Sequence, residues 1–271
     1  MRSATHPYFE LERPVVLGHR GAAAHRPENT LASFAHALEV GAAILESDVQ
    51  VTRDGVPVLC HDPDLDRTTN GHGPIAALDF AELRALDAGY HYTAPDAPGH
   101  FPERGRGHRI PSLSEAFDAF PGARFNLEIK AAAPGLALRV LDEIAEHDRS
   151  ERTLVVADRD AALDALESAL ATHRARPARG ASLRDILRFV ESAVADTAPA
   201  IPAMALQVPA DFAGQPLVNE RFIAHAHAHD IEVHVWTIND PSEMDALLEL
   251  GVDGLVSDYP DRARQRIAAR A

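Results

Sequence analysis

Residues 43–61, A-I-L-E-S-D-V-Q-V-T-R-D-G-V-P-V-L-C-H, decide how this chain is read. The first half, 43–52, is an apolar strand-like run interrupted by two carboxylates, Glu46 and Asp48. Residues two apart on a strand point to the same side. Two carboxylates so placed repel each other unless a cation or a proton lies between them. Their Ile, Leu and Val flanks make solvated surface charge a poor account of the pair. Asp54-Gly55 then turns the chain, and residues 56–61 form a second strand. The gap is too short for a helical crossover. The two strands are therefore expected as an antiparallel ribbon, or as a barrel strand beside an irregular neighbour. The turn returns His61 to the level of Glu46 and Asp48.

Outward from this ribbon, short apolar runs alternate with helical patterns, which predicts a parallel α/β sheet. Strands are expected at 14–19, 43–52, 56–61, 124–130, 153–157, 174–180, 203–208, 232–238 and 254–257. After the first strand a helix carries Leu31, Phe34, Ala35 and Leu38 on one face, with Asn29 as candidate N-cap and Gly41 closing it. A capping box, Ser112-Leu113-Ser114-Glu115, opens another helix, and a further one is expected to start at Pro134. Helical patterns also cover 160–170, 182–195, 219–229 and 241–250. There is one strand candidate too many for an eight-stranded barrel: the extra is a ribbon strand or the weak segment at 174–180. Residues 62–124 read as an insertion, with a helix near 80–86 and a Gly/Pro/His-rich stretch at 89–111 expected to line the mouth. No repeat, linker or composition break divides the chain. The expected fold class is α/β, a TIM (β/α)8 barrel forming one domain over residues 1–271.

The length, 271 residues and 29.3 kDa, suits a single barrel of this kind. A net charge of −15 argues against nucleic acid or an anionic membrane as partner. It leaves room for a small anionic substrate gripped locally. The lone cysteine, Cys60, excludes an internal disulfide and suits a reducing compartment. Within V-P-V-L-C it reads as an inert buried thiol. The first fourteen residues show no signal-peptide pattern, and no stretch approaches the roughly 20 apolar residues that span a bilayer. Cytoplasm without stable membrane association is the expected setting. His225, His227 and His229 read as a solvated helix face rather than a metal site.

The chemistry-bearing residues gather at strand ends. His19 and Arg20 close the first strand, and His61-Asp62 closes the ribbon. In barrels, catalytic groups collect at the C-terminal ends of strands. Two histidines can act as general base and general acid, because imidazole titrates near working pH. Arg20 offers a planar fork for phosphate oxygens. Glu128 and Lys130 repeat the two-residue spacing of Glu46 and Asp48 on a later strand. Lys130 is the only lysine in the chain. Three carboxylates, Glu46, Asp48 and Glu128, suit Mg²⁺ or Ca²⁺.

An ordered set of short motifs carries a family likeness: Gly18-His19-Arg20-Gly21, Pro27-Glu28-Asn29-Thr30, Glu46-Ser47-Asp48-Val49, Thr52-Arg53-Asp54-Gly55-Val56-Pro57-Val58 and His61-Asp62. Leu127-Glu128-Ile129-Lys130, Val235-Trp236-Thr237-Ile238-Asn239 and Gly254-Leu255-Val256-Ser257-Asp258 complete it. The chain resembles the glycerophosphodiester phosphodiesterase family, and with it the catalytic barrel of phosphatidylinositol-specific phospholipases C. The resemblance implies a metal-dependent TIM-barrel enzyme that splits a glycerophosphodiester into glycerol 3-phosphate and an alcohol. It implies Glu46, Asp48 and Glu128 as metal ligands, His19 and His61 as the acid/base pair, and Arg20 and Lys130 as phosphate grips. Trp236 would form an apolar wall near the substrate alcohol, and Glu28 could orient a catalytic group. Two departures bear on pocket shape: Ala157-Asp158, where many members carry Ser-Phe, and the polar segment 173–177. The competing readings are a lysophospholipase C or D type enzyme and a catalytically silent phosphodiester-binding barrel. The silent barrel predicts decay at metal or acid/base positions, and none is visible. Sequence alone leaves open which histidine is the acid, which alcohol is preferred and the oligomeric state.

Overall fold

Four consecutive buried residues, Val15–Gly18, make the first strand, β1. A strand covered on both faces reads as an unbroken apolar run, the mark of a parallel sheet. The structure, a computed structural model, describes residues 6–157, 159–212 and 214–270. Helix α1 (Leu31–Glu39) follows β1, then strands β2 (Ile44–Val51) and β3 (Pro57–Leu59) and helices α2 (Phe80–Leu83) and α3 (Leu113–Ala119). Strand–helix units continue with β4 (Arg124–Ile129), α4 (Leu136–Glu146), β5 (Thr153–Val156), α5 (Asp160–Thr172), β6 (Ala178–Arg179) and α6 (Leu183–Ala195). Next come β7 (Ala205–Pro209), a short hairpin β8 (Asp211–Phe212) and β9 (Gln215–Pro216), and α7 (Glu220–Ala228). Strand β10 (Glu232–Trp236), α8 (Pro241–Leu250), β11 (Gly254–Ser257) and α9 (Pro260–Ala268) end the described chain.

Parallel pairing runs β6-β5-β4-β2-β1-β11-β10-β7. A parallel bridge between Gly180 and Ala205 joins the two ends of this row and closes the barrel. The surplus strand is β3, antiparallel to β2 with Val49 opposite Leu59 and Val51 opposite Pro57. The polar segment at 174–180 does supply a barrel strand, cut to two residues. Pro177 has no N–H for the ladder, and pairing starts only after it.

Several sequence-based boundaries need correction. The N-cap of α1 is Thr30, whose Oγ1 accepts from the Ser33 N–H at 3.2 Å. Asn29 instead adopts a left-handed backbone, φ +55°, and turns its amide toward β2. Helix α4 starts at Leu136 behind Gly135, which sits at φ +79°, rather than at Pro134. The helix expected near 80–86 is a single turn with its own capping box from Asp79 and Glu82. Strand β10 stops at Trp236 rather than 238. Of the departure pair, Ala157 is buried and Asp158 lies outside the described residues.

Alternation along the strands sorts side chains into two layers. Val15 and Leu17 face a small cluster inside the barrel with Tyr8, Ile44, Leu154 and Val256. Val16, Leu45, Phe125 and Leu127 face outward onto the helices, where Phe34, Phe117, Val140 and Leu141 meet them. Phe125 packs edge-on against both Phe34 and Phe117. The chain between β3 and α3 carries a third cluster, Val58, Cys60, Leu65, Ile75, Leu83 and Ile110. Among the described residues no helix is long and apolar enough to cross a membrane.

The loop after β1 shapes the site and is tightly constrained. Arg20 and Gly21 both have positive φ, +50° and +89°. Ser33 Oγ donates to the Arg20 carbonyl at 2.9 Å and accepts from the Ala22 N–H at 2.8 Å. A Cβ on Gly21 would lie 2.4 Å from Ser33 Oγ and 2.6 Å from the Ser33 carbonyl carbon. Gly21→Ala therefore combines left-handed strain with overpacking and should destabilise by about 2–4 kcal/mol. Urea unfolding measures this, and a change under about 0.5 kcal/mol would show the loop to be free to relax.

Candidate active site

Parallel pairing of β2 with β4 sets Glu46 opposite Asn126 and Asp48 opposite Glu128. With a strand period of two, the three carboxylates reach one side of the ladder. An oxygen from each of Glu46, Asp48 and Glu128 lies within 4.8 Å of the others. Glu46 and Asp48 are buried. Burial, and after it the charge of Asp48, pushes the Glu46 carboxyl up to about 7. Lys130 Nζ lies 2.8 Å from Glu128 Oε1 and 3.3 Å from Asp48 Oδ1. The Arg20 N–H donates to Glu46 Oε2 at 3.0 Å, and its Nε is 3.4 Å from Asp48 Oδ2. Two cations thus answer three carboxylates, yet Glu46 still resists ionisation. Three carboxylates this close offer the hard oxygen donors that a divalent cation takes. Asn29 fixes the pair from behind: its Nδ2 donates to Asp48 Oδ2 at 3.2 Å and its Oδ1 accepts from Ser47 Oγ at 2.6 Å.

Both histidines are tethered by a carboxylate at Nδ1. His19 Nδ1 lies 2.6 Å from Asp258 Oδ1, and Asp258 also accepts from Asn239 Nδ2 at 2.6 Å. Asn239 is held in turn, its Oδ1 accepting from Ser257 Oγ and the Asp258 N–H. Burial pulls the His19 pKa down, but the Asp258 hydrogen bond and the charge of Glu46 outweigh it and raise the pKa above the usual value. Burial pushes Asp258 up, and its bonds to His19 and Asn239 bring it below the usual carboxylate range. His61 Nδ1 lies 2.7 Å from Asp62 Oδ1. Asp62 accepts from Arg67 Nε, and Arg67 forks onto Glu28 at 2.6 and 2.8 Å. Glu28 accepts from Arg20 NH1 at 3.0 Å, so one polar chain runs from His61 to Arg20. Each tether commits Nδ1 and turns Nε2 away from the partner.

The register of the ribbon puts His61 where the turn predicts. The Cys60 N–H donates to the Asp48 carbonyl at 2.9 Å, and Gln50 Nε2 donates to the His61 carbonyl at 3.0 Å. Cys60 is buried, and burial first of all pushes its thiol up to about 12. Next to His19 and Arg20 opens a cavity of about 640 Å³. Pro95, from the 89–111 stretch, forms part of its wall, and Tyr92 OH donates to the Ala24 carbonyl at 2.8 Å. Trp236 stands at the C-terminal end of β10, 44% exposed. Of the three histidines at the end of α7, His229 is exposed, while His225 and His227 are half-buried, His225 meeting Ser192 Oγ at 3.0 Å and His227 meeting Asp253 at 2.9 Å.

Glu46, Asp48, Glu128, Lys130, Arg20 and His19 are therefore gathered in one place, and His61 is linked to them through Asp62, Arg67 and Glu28. Sequence reading gave Asp258, Asn239, Asn29 and Arg67 no part in the site. Asp258 had a signal, an Asp directly after a strand end within a quoted motif. Asn29 was hidden because Asn before a helix reads first as a cap. Arg67 had none, since arginine is common in this chain.

A closed parallel barrel with buried carboxylates, a lysine, an arginine and two tethered histidines at its strand ends defines a TIM-barrel phosphodiesterase. Residues 19–262 match the glycerophosphoryl diester phosphodiesterase family. A glycerophosphodiester phosphodiesterase of Caldanaerobacter subterraneus is 30% identical over 257 residues, spanning 92% of this chain and 96% of its own. An Oleispira antarctica phosphodiesterase, solved in complex with the product sn-glycerol-3-phosphate, is 30% identical with a TM-score of 0.72, covering 94% of this chain and 97% of its own. A glycerophosphoryl diester phosphodiesterase domain from Mycobacterium tuberculosis shares the fold at TM-score 0.81 and 22% identity, covering 94% and 99%. The chain belongs to the glycerophosphoryl diester phosphodiesterase family.

The Asp258 tether makes a pH prediction. Asp258→Asn removes the negative charge that stabilises the His19 imidazolium, so the His19 pKa should fall. Just above pH 6.5 the parent's His19 should stay more protonated than the variant's. A ¹³C-resolved NMR titration of the His19 ring reads this directly. An unchanged or raised pKa in the variant would show that Asp258 does not govern His19.

Proposed function

We propose that the protein hydrolyses glycerophosphodiesters to glycerol 3-phosphate and an alcohol, with Glu46, Asp48 and Glu128 holding Mg²⁺ or Ca²⁺. The observation that carries this reading is the convergence of those carboxylates within 4.8 Å, beside Arg20, Lys130 and a tethered His19. A bound divalent cation would draw negative charge from the phosphoryl oxygens and acidify a nearby hydroxyl. Arg20 and Lys130 stabilise the charge that grows on the phosphoryl group. Arg20 is pre-aimed by Glu28 and by the strained turn that fixes its backbone. His19, with its raised pKa, suits the acid that protonates the departing alkoxide, and His61 suits the base. Trp236 offers an apolar wall at the same end of the barrel.

In such a diester the glycerol 2-hydroxyl lies next to the phosphate-bearing oxygen. An internal hydroxyl has a large effective-concentration advantage over bulk water. We read the reaction as two steps: attack by the 2-hydroxyl with loss of the alcohol, then opening of the cyclic phosphate by water.

Chelation should abolish turnover of glycerophosphodiesters, and added Mg²⁺ or Ca²⁺ should restore it. Glu46→Gln should weaken cation binding in calorimetry while circular dichroism stays unchanged. Full activity in excess chelator, with cation absence verified by elemental analysis, would falsify the metal assignment. Turnover of lysophospholipids in preference to water-soluble diesters would transfer the chain to the lysophospholipase reading.

A diester lacking the 2-hydroxyl should turn over orders of magnitude more slowly while binding comparably. Turnover at the normal rate would leave water as the direct nucleophile.

A further inference from the structure

The cavity of about 640 Å³ falls within the range of about 300–1,000 Å³ that small-molecule sites occupy. It lies to one side of the carboxylate cluster. The cluster stands on β2 and β4, whereas the cavity is walled by the loops that follow β1, β11 and β10, three adjacent strands. One wall is His19 and Arg20. Asp240 and Arg262, in the first turns of α8 and α9, line it as well.

Arg262 is fixed without an ion pair among the described salt bridges. Its guanidinium stacks 4.0 Å over the Tyr259 ring, and its NH1 donates to the Asn239 carbonyl. Such a stacked fork keeps donors available for an oxyanion. Asp240 caps α8 through Oδ1, which accepts from the N–H groups of Ser242 and Glu243. Ser242 Oγ donates to the same oxygen, and that bond first, then the two backbone bonds, with a smaller contribution from the positive charge of Arg262, hold its carboxyl below the usual range. The cavity therefore presents a fixed cation and a fixed anion, within electrostatic reach of each other, beside His19 and Arg20.

Glycerol carries no charge and has no need of such a pair. In the reading above, the glycerol 2-hydroxyl belongs at the carboxylate cluster, which leaves the cavity beside His19 to the departing alcohol. We propose that Arg262 and Asp240 form a specificity subsite for a zwitterionic leaving alcohol of the α-amino-acid type, with Arg262 taking the carboxylate and Asp240 the ammonium. A serine headgroup has this chemistry. The proposal rests on the hydrolase reading of the same site. Tyr259 and Pro95 line the same cavity.

Three diesters of glycerol 3-phosphate test it with the cation-loaded full chain: those of serine, ethanolamine and glycerol. They carry a carboxylate plus an ammonium, an ammonium alone, and neither. The readout is the ratio of kcat/KM values within each protein. Arg262→Leu should lower the serine-to-ethanolamine ratio about tenfold or more, the effect of one lost charge-assisted bond. Asp240→Asn keeps a competent helix cap and should lower the ethanolamine-to-glycerol ratio by a similar factor. Arg262→Leu also removes a contact to Asn239, and a general loss through His19 would scale all three substrates and cancel in the ratio. Unchanged ratios in both variants, with the parent active on all three, overturn the subsite and leave the hydrolase reading standing. A parent inactive on every diester overturns both.

Discussion

Negative charge forced together inside the barrel wall is the constraint around which this molecule is arranged. Glu46 and Asp48 lie on one strand, and Glu128 sits opposite Asp48 on the next. Parallel register leaves them no way to separate, because a one-residue slip would turn each onto the helix-facing side. The structure answers with groups that come from elsewhere in the chain. Arg20 supplies a backbone N–H and a guanidinium, Lys130 an ammonium and Asn29 an amide. Even so, Glu46 is pushed up to about 7. A site optimised for the empty protein would have swapped one carboxylate for a neutral side chain. Retaining all three makes sense where a further positive charge completes the set.

The two cationic groups are not interchangeable. Lys130 sits between two carboxylates as a compact charge, where a planar guanidinium would need more room. Arg20 works where a fork is useful, spanning Glu28 and Asp48 while its backbone serves Glu46. A chain that otherwise uses arginine throughout has kept its one lysine at the position that most needs a point charge.

Legibility in the sequence followed the range of the interactions. The ribbon at 43–61 was readable because a turn, an alternation and a spacing of two are all local. The residues that converge on one site were readable because they stand at strand ends in quoted motifs. What escaped were partners set by closure of the barrel. Asp258 reaches His19 only because β11 pairs with β1, 239 residues apart in sequence. Asn29 was misread as a cap because its left-handed backbone depends on packing against β2, not on local propensity. The short β6 and the start of α4 at Gly135 were likewise decided by tertiary fit, through a proline without an N–H and a glycine with positive φ.

A histidine bonded to a carboxylate is not in itself a sign of chemistry, and this barrel carries the comparison within one sheet. His234, in the middle of β10, bonds Glu232 at 3.0 Å, and Glu232 also pairs with Arg13. That group lies toward the N-terminal end of the strands. His234 is fully buried, and burial pulls it down to about 4. It stays neutral at working pH and serves packing. His19 makes the same kind of bond to Asp258, but there burial is outweighed by that bond and by the charge of Glu46, and its pKa is raised. The two pairs differ in which end of the barrel they occupy. At the C-terminal end, strand tips give way to loops that leave an imidazole face open. At the other end His234 is enclosed by the barrel core. The fold, more than the residue types, decides which histidine has a proton to move.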